Sequence, residues 1–392
     1  MTIHNTFQTQ SPLQLGFIGG GLSSSIGQTH YVASQLDGRW QLTSGFFSRN
    51  NEINQKTSEK WNVPQDRLYE SWKSFIKAEA KKIDAVVVLV PTPEHTEIVC
   101  SLLEEKVPVI CEKPLASSLG DVNMIHNTFQ QSSNFLAVTF NYSGYPMVRE
   151  LKAMLDNGEL GQLQKLHFEM PQEGFLRLDP ITGKAVAPQG WRLNDDYIPT
   201  ICLDLGVHLH HLAYFLTGLN PIRTIGDFAN HSSYKGLVDD IMMWLEFEDG
   251  MKGSFWMSKT ALGNRNGLKL RIYGTEGSAV WLQTNPEELM VSYRNGTMTT
   301  IDRASKTKIC SKPRYNRYKA GHPSGFIEAF ANLYCDIADA LMAYRENGKH
   351  ENPYVFGIGH SMSGIDLFTA ARKSNDDRCW VETNFSSEER KA

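Results

Sequence analysis

"LGFIGGGLSSSIGQTH", residues 15 to 30, opens on a short apolar run and breaks into three glycines, with the next glycine only at Gly27. Glycine is needed where a chain turns sharply from strand to helix and where backbone passes close to a pyrophosphate. Gly19 and Gly21 meet the first part of that need. The strict G-x-G-x-x-G pattern would put glycine where Ser24 stands. Instead Ser23, Ser24 and Ser25 fill a longer loop, and Gly27 is left to let a helix pack on the sheet. The stretch reads as a dinucleotide turn. Gly19, Gly21, Ser24, Ser25 and Ile26 are its candidate cofactor contacts, at a helix start whose free N–H groups and dipole favour phosphate. A plain glycine turn is the alternative that these residues leave open.

What surrounds the turn supports the nucleotide reading. "LGFI", "QLTSGFF", "DAVVVLV" (84–90), "VPVIC" and "FLAVTF" are strand-like, and helical stretches separate them, among them 25–36, "PEHTEIVCSLLEEK" and 119–131. Single helices between apolar strands imply a parallel, doubly wound sheet. After about residue 143 the pattern changes. "MVRELKAML" reads as helix and "LQKLHFEM" as strand, followed by a polar loop. Alternating runs then turn at Asp249-Gly250 and Asn295-Gly296, both hairpin signals, so this part reads as antiparallel sheet. Two long helical patterns close the chain, near 324–346 and 356–373. The fold class is α/β.

Bulk properties exclude several roles. The 392 residues are 41% apolar and 21% charged with a net charge of −4, so neither nucleic acid nor acidic lipid is expected as a partner. Six scattered cysteines form no C-x-x-C pair and read as reduced, buried thiols. "MTIHNTFQTQSP" has no apolar core of a signal peptide, and no run approaches the ~18 apolar residues of a membrane span. A cytoplasmic protein without membrane contact is expected.

Three further stretches carry chemistry. In "VPVICEKPLASS", Glu112 and Lys113 follow a buried strand at its carboxyl end, where open α/β sheets bind ligands. In "WRLNDDYIPTICLDLGVHLHHLAYFLTG", Asp204 and His208 are four apart, on one face of a helix. Histidine is a natural proton acceptor near neutrality, and Asp204 either orients it or binds a substrate hydroxyl. A buried histidine in an amphipathic helix is the plainer alternative. His210 and His211 point to other faces than His208, so one ion could not collect them all, and no metal is expected. The second strand ends "FFSRNNE", with Ser48 and Arg49 where an acid would hold an NAD ribose. Arg49 can accept a 2′-phosphate or stack on adenine, so the cofactor is NAD or NADP. In the polar loop from 171 to 200, Arg177, Lys184, Trp191, Arg192, Asp195 and Asp196 are available to read substrate hydroxyls, Trp191 and Arg192 foremost.

Together these stretches resemble the glucose–fructose oxidoreductase / inositol dehydrogenase / rhizopine catabolism (Gfo/Idh/MocA) family. The resemblance spans essentially the whole chain. It rests on the glycine turn, "VPTPEH" placed after a fourth strand, "CEKP", "NYSGYPMVREL", "WR" followed by "DLGVHLHHLAYFLTG", and "GHPSGFIEAFANLY". It implies a Rossmann NAD(P)-binding domain over 12–142. It also implies a substrate-binding and oligomerisation α/β domain over 143–392, with an open, mainly antiparallel sheet. Lys113, Asp204 and His208 match the family's catalytic lysine, aspartate and histidine. Pro91, Thr92, Pro93 and His95 fall on its cofactor-side loop, with Glu112 and Lys113 also near the cofactor. Asn141, Tyr142, Trp191 and Arg192 join Lys113, Asp204 and His208 on the substrate side. The Lys113–Pro114 bond is expected to be cis. Two departures are the long glycine loop and "NYSGYP", where a basic residue often replaces one of the small ones. The implied reaction is NAD(P)-dependent oxidation of a hydroxyl on a sugar, sugar derivative or cyclitol, by a homodimer or homotetramer joined through the C-terminal sheet. Alternatives on the same fold are transient oxidation by retained NAD leading to cleavage or epimerisation, a nucleotide-sugar dehydrogenase, and a silent sugar- or nucleotide-sensing protein.

Overall fold

Val86, Val87 and Val88 have no exposed surface and form the middle of β3 (Ala85–Leu89) in the computed structural model of the chain, which describes residues 11–184, 188 and 190–384. β3 lies at the centre of a five-stranded, wholly parallel sheet with β1 (Leu13–Gly19), β2 (Trp40–Phe46), β4 (Val109–Cys111) and β5 (Leu136–Val138). The spatial order is β2-β1-β3-β4-β5, so the winding reverses between β1 and β3. A crevice opens at the carboxyl ends of strands at such a reversal. Gly19, the last residue of β1, is paired there with Leu89, the last of β3. Helices α1 (Ser25–Gln35), α2 (Asn51–Lys60), α3 (Trp72–Glu79), α4 (His95–Glu104) and α5 (Leu119–Ser132) connect the strands. "VPTPEH" follows the third strand rather than a fourth, because the stretch after β2 forms α2 and α3 and adds no strand.

The second sheet has nine strands. β6 (Leu163–Pro171) lies in the middle, flanked by β9 (Lys252–Ser258) and β10 (Lys269–Gly274). β7 (Pro221–Ala229) and β8 (Asp240–Phe247) extend it on one side. β11 (Gly277–Leu282), β12 (Asn285–Tyr293) and β13 (Met298–Ile301) extend it on the other. β14 (Val381–Glu382) pairs at the β7 edge. Every pairing is antiparallel except β6 with β9. Gly250 and Gly296, at φ +82° and +87°, make the expected hairpin turns.

The alternation along β8 and β9 assigns faces cleanly. Met243, Leu245, Phe247, Phe255 and Met257 all point inward and are fully buried. They pack under helices of the same chain: α6 (Pro146–Asp156), α7 (Val207–Thr217) and α9 (Ile358–Asp377). These five residues are therefore covered within the chain and need no second subunit to bury them. The opposite face carries Met242, Trp244, Tyr273 and Met290, and Trp244 is 50% exposed.

Helix α8 (Phe326–Asn347) lies late in the chain yet covers the parallel sheet. Its Phe330, Leu333, Ile337 and Leu341 share a core with Leu15, Phe17 and Ala33. The six cysteines are free thiols, but Cys335 is half-buried and Cys379, beyond the end of α9, is exposed. Among the described residues no helix is long and apolar enough to cross a membrane.

Candidate active site

At the glycine turn the backbone has no room for side chains. Gly19 and Gly20 have φ +86° and +74°. A Cβ on Gly19 would lie 2.8 Å from the Leu89 carbonyl carbon, and one on Gly27 would lie 1.8 Å from the Gly20 carbonyl oxygen. The long serine loop thus still brings the start of α1 directly onto the turn. Ser24 caps that helix, its hydroxyl accepting from the Gly27 N–H at 3.2 Å, and Ser25 is its first residue. Ser48 Oγ accepts from the Asn50 N–H at 3.1 Å, and Arg49 extends into solvent with its side chain 80% exposed, 3.5 Å from Glu94. Pro91 to Pro93 lead from β3 into a short 3-10 turn (Thr92–Glu94).

His95 does not face this crevice. It is enclosed, its Nδ1 and Nε2 each 2.9 Å from the backbone carbonyls of Pro114 and Val90. It ties the loop after β3 to the turn after β4 and is not placed to touch a cofactor. That second turn contains the expected cis Lys113–Pro114 bond.

Beyond Lys113 a cavity of about 380 Å³ separates the carboxyl end of the parallel sheet from the nine-stranded sheet. Ile26, Lys113, Tyr142, Arg192, Asp204 and His208 all line it. Lys113 Nζ donates to the Asp204 backbone carbonyl at 2.9 Å and lies 3.4 Å from its Oδ1. Arg192 is also 3.4 Å from Oδ1. Lys259 Nζ donates to Oδ2 at 2.6 Å and to Gln172 Oε1 at 2.8 Å. Burial pushes the Asp204 carboxyl up, but Lys259, Lys113 and Arg192 pull it further down, to well below the usual carboxylate range. Asp204 is an anion clasped by three cations.

Two sequence readings change here. Asp204 is not on the same α-helix as His208. It sits in a π-helical turn, Cys202–Gly206, that precedes α7. Such one-turn bulges recur at functional sites because they re-aim side chains. Nor does Asp204 orient the histidine by a hydrogen bond: its oxygens go to the cations. His208 makes no hydrogen bond among the described residues and rests edge-on against the Tyr142 ring at 4.6 Å. Burial, and then the nearby Lys113 charge, hold its imidazole well below the ordinary pKa, so it is neutral.

The assembled site decides the kinship. One family model, described as "Oxidoreductase family, NAD-binding Rossmann fold", matches residues 13–140, and the "GFO/IDH/MocA C-terminal domain" matches 148–280. The chain belongs to the Gfo/Idh/MocA oxidoreductase family. It is 28% identical over 386 residues to "Uncharacterized oxidoreductase YfiI" of Bacillus subtilis, covering 95% of this chain and 97% of that one. It is 24% identical over 309 residues to a levoglucosan dehydrogenase of Pseudarthrobacter phenanthrenivorans, covering 72% and 76%. The crystal structure of an inositol dehydrogenase homolog complexed with NAD+ from Azotobacter vinelandii superimposes with a TM-score of 0.86 at 25% identity, over 95% of this chain and 97% of that one.

The residues of this Gfo/Idh/MocA chain fit a dinucleotide. Besides the tight glycine cradle, Asn141 is buried on the cavity wall and its Nδ2 has no partner among the described residues, a donor aimed at a missing acceptor. Glu112 borders the cavity but is committed inward. His30 Nε2 donates to its Oε1 at 3.1 Å and Thr139 Oγ1 at 2.5 Å, while the Tyr334 hydroxyl of α8 donates to His30 Nδ1 at 2.7 Å. Of the loop residues singled out in the sequence, only Arg192 lines the cavity among those with described side chains. The Trp191 side chain lies outside the described residues. Arg177 and Lys184 are exposed, Asp195 accepts from the Thr200 and Val238 N–H groups, and Asp196 from that of Tyr197.

Lys259, Gln172, Asn266 and Gln283 were not foreseen. Gln172 and Lys259 follow β6 and β9, whose parallel register pairs Pro171 with Ser258, so the two chains leave the sheet side by side. Among the described residues no group of three or more His, Cys, Asp or Glu is arranged to hold a metal ion.

Proposed function

We propose that this protein is an NAD(P)-dependent dehydrogenase acting on a CH–OH group of a sugar, sugar derivative or cyclitol. The observation that carries the reading is the convergence of a neutral His208 and the Lys113 ammonium on one cavity, at the carboxyl end of the strand that follows the glycine turn's partner. In oxidation His208 takes the hydroxyl proton, for which an uncharged imidazole is required. The Lys113 ammonium stabilises negative charge growing on that oxygen. Asp204 fixes Lys113 in position through two contacts. A nicotinamide cofactor, when bound, would supply the hydride acceptor in this direction and the hydride donor in the other. The test is a spectrophotometric screen of polyols and sugars with NAD and with NADP at the nicotinamide absorbance. No absorbance change with any of them, together with product formed from none, would count against the reading.

The exposed Arg49 beside the end of β2 is suited to a 2′-phosphate. Arg49→Ala is expected to weaken NADP(H) more than NAD(H), measured by calorimetric titration of each. Equal loss for both would leave Arg49 as an adenine platform or a surface residue.

The chain is further read as a homo-oligomer joined through the open face of the nine-stranded sheet. Met242, Trp244, Tyr273 and Met290 are large apolar side chains exposed on that face, and association would cover them. Light scattering at micromolar concentration is expected to give a dimer or tetramer, and Trp244→Glu to shift it toward monomer. A monomer for the unaltered chain would contradict this.

A further inference from the structure

We propose that Lys259 sets the hydrogen-bonding direction of one wall of the cavity, that the Tyr142 hydroxyl is thereby left as a donor, and that it donates to a substrate oxygen other than the reacting one. Tyr142 is then a specificity-determining residue, and Lys259, Gln172 and Asn266 are its positioning residues. This rests on the dehydrogenase reading of the same cavity.

The wall takes one polar side chain from the end of each of four successive strands. β9, β6, β10 and β11 are neighbours in that order. Lys259 follows β9, Gln172 follows β6, Asn266 precedes β10 and Gln283 follows β11. The pairings of Ser258 with Pro171, Glu169 with Lys269 and Lys269 with Leu282 bring them to one edge of the sheet, where all four line the cavity together with Tyr142. Their polar atoms join into a row. Lys259 Nζ donates to Gln172 Oε1 at 2.8 Å, and Gln172 Nε2 donates to Asn266 Oδ1 at 3.0 Å. Asn266 Nδ2 donates to Gln283 Oε1 and to the Tyr142 hydroxyl, both at 3.1 Å.

The direction of this row is fixed from one end. A side-chain amide can turn end for end, exchanging donor and acceptor, wherever its neighbours allow both. An ammonium offers donors only. Lys259 is enclosed and held by Asp204 Oδ2 at 2.6 Å, so it demands the oxygen of Gln172. That leaves the Gln172 nitrogen for Asn266 and turns the Asn266 nitrogen toward Tyr142. Turning any one amide would set donor against donor in an enclosed place, which is costly. The Tyr142 hydroxyl, on a side chain 4% exposed, therefore accepts from Asn266 and keeps its own proton to give. Burial pushes its pKa up to about 12, so the proton stays on at neutral pH. Among the described residues no acceptor takes that proton. The Tyr142 ring meets His208 edge-on at 4.6 Å, so both belong to one substrate-facing surface. The reacting hydroxyl is assigned to His208 and Lys113, which leaves Tyr142 a second oxygen. A hydroxyl, ether or carbonyl oxygen can accept there, whereas an ammonium or a C–H cannot.

The experiment is calorimetric titration of the full chain with NADH present, using D-glucose and myo-inositol, each with its set of monodeoxy and monoamino analogues. At one position the deoxy and amino forms are expected to bind roughly tenfold more weakly than the parent. Tyr142→Phe should weaken the parent by about the same factor and equalise parent and deoxy form at that position alone. Asn266→Asp puts an acceptor where the amide has its donor, so the tyrosine proton goes to the new carboxylate. That variant should lose the same preference and improve binding of the amino form. Gln172→Glu still accepts from Lys259 but cannot donate to Asn266, so it frees that amide to turn and should lose the preference from two residues away. This last variant leaves Tyr142 and its immediate partner intact, and it remains informative if another does not fold. No position at which Tyr142→Phe alters the deoxy ratio, a Gln172→Glu chain with the preference of the unaltered one, or binding by no parent polyol would overturn the proposal. So would a loss of NADH affinity in Tyr142→Phe with the sugar preference intact. In turnover, Tyr142→Phe should raise KM and change kcat only a few-fold. A collapse of kcat at constant KM would place Tyr142 on the reacting oxygen, which sinks the proposal and spares the dehydrogenase reading. The predicted preferences in binding, with no turnover by either cofactor, would do the reverse.

Discussion

His208→Ala is expected to slow hydride transfer by roughly 10²–10⁴-fold, the usual loss when a positioned general base is removed, with cofactor affinity close to that of the unaltered chain. The ring lines the cavity, bonds to nothing among the described residues and is uncharged, so its free nitrogen is available to a substrate hydroxyl. The sign of the pH dependence follows from the depressed pKa. Above about 6.5, the ordinary histidine value, His208 is already neutral, and oxidation should not gain from its further deprotonation. Activity should fall only on the acid side of that value, as the imidazole charges. Lys113→Met should act in the same direction, with added loss of substrate binding. Asp204→Asn should instead raise KM and lower stability, because it leaves Lys113, Lys259 and Arg192 without their shared anion. Pre-steady-state nicotinamide absorbance after rapid mixing measures the step. Full activity of His208→Ala at every pH would make the histidine a wall residue and pass the chemistry to Lys113 alone.

The parts of this site visible in the sequence are those whose meaning is local. A glycine turn after an apolar strand, a lysine at a strand end, and an acid and histidine four apart all announce themselves within a few residues. Lys259 does not. It follows an ordinary strand in "WMSKT", and its partner Asp204 is 55 positions away, on the turn Cys202–Gly206 that packs against β9. The π-helical turn was equally silent, since "CLDLG" keeps an apolar pattern that an α-helix would also show. The period-two alternation of β8 correctly sorted Met243 and Leu245 from Met242 and Trp244. It could not say which face the chain's own helices would cover, because periodicity defines a face and not its neighbour. The packing of α8 on the first sheet joins residues some three hundred positions apart, such as Trp40 Nε1 donating to the Tyr334 carbonyl at 2.9 Å, and no local pattern encodes that.

Arg149→Met is expected to destabilise the fold by about 3–5 kcal/mol, the range for breaking one side of a buried ion pair. Arg149 on α6 is wholly enclosed. It donates to Asp336 Oδ2 at 2.5 Å, to the Tyr315 hydroxyl at 2.8 Å and to the Ser143 carbonyl at 2.7 Å, and its guanidinium lies 3.9 Å from the Tyr354 ring centre. Asp336 on α8 is equally enclosed and has a second partner, Arg314, at 2.9 Å from Oδ1. The pair joins the helix under the second sheet to the helix that covers the first. Removing the arginine leaves three acceptors without their donor and a buried carboxylate with one cation that is partly in water. Asp336→Asn should be comparably severe, because it strands the guanidinium. The double variant Arg149→Met with Asp336→Leu should recover part of the loss, since both charges then leave the interior together. Urea unfolding followed by tryptophan fluorescence measures all three. Because α8 also brings Phe326 and Phe330 to the cavity and Tyr334 to His30, the single variants should bind NADH more weakly at temperatures where they remain folded. A loss below about 1 kcal/mol for Arg149→Met would mean that Arg314 alone compensates Asp336, and that the two helices are held by their apolar contacts.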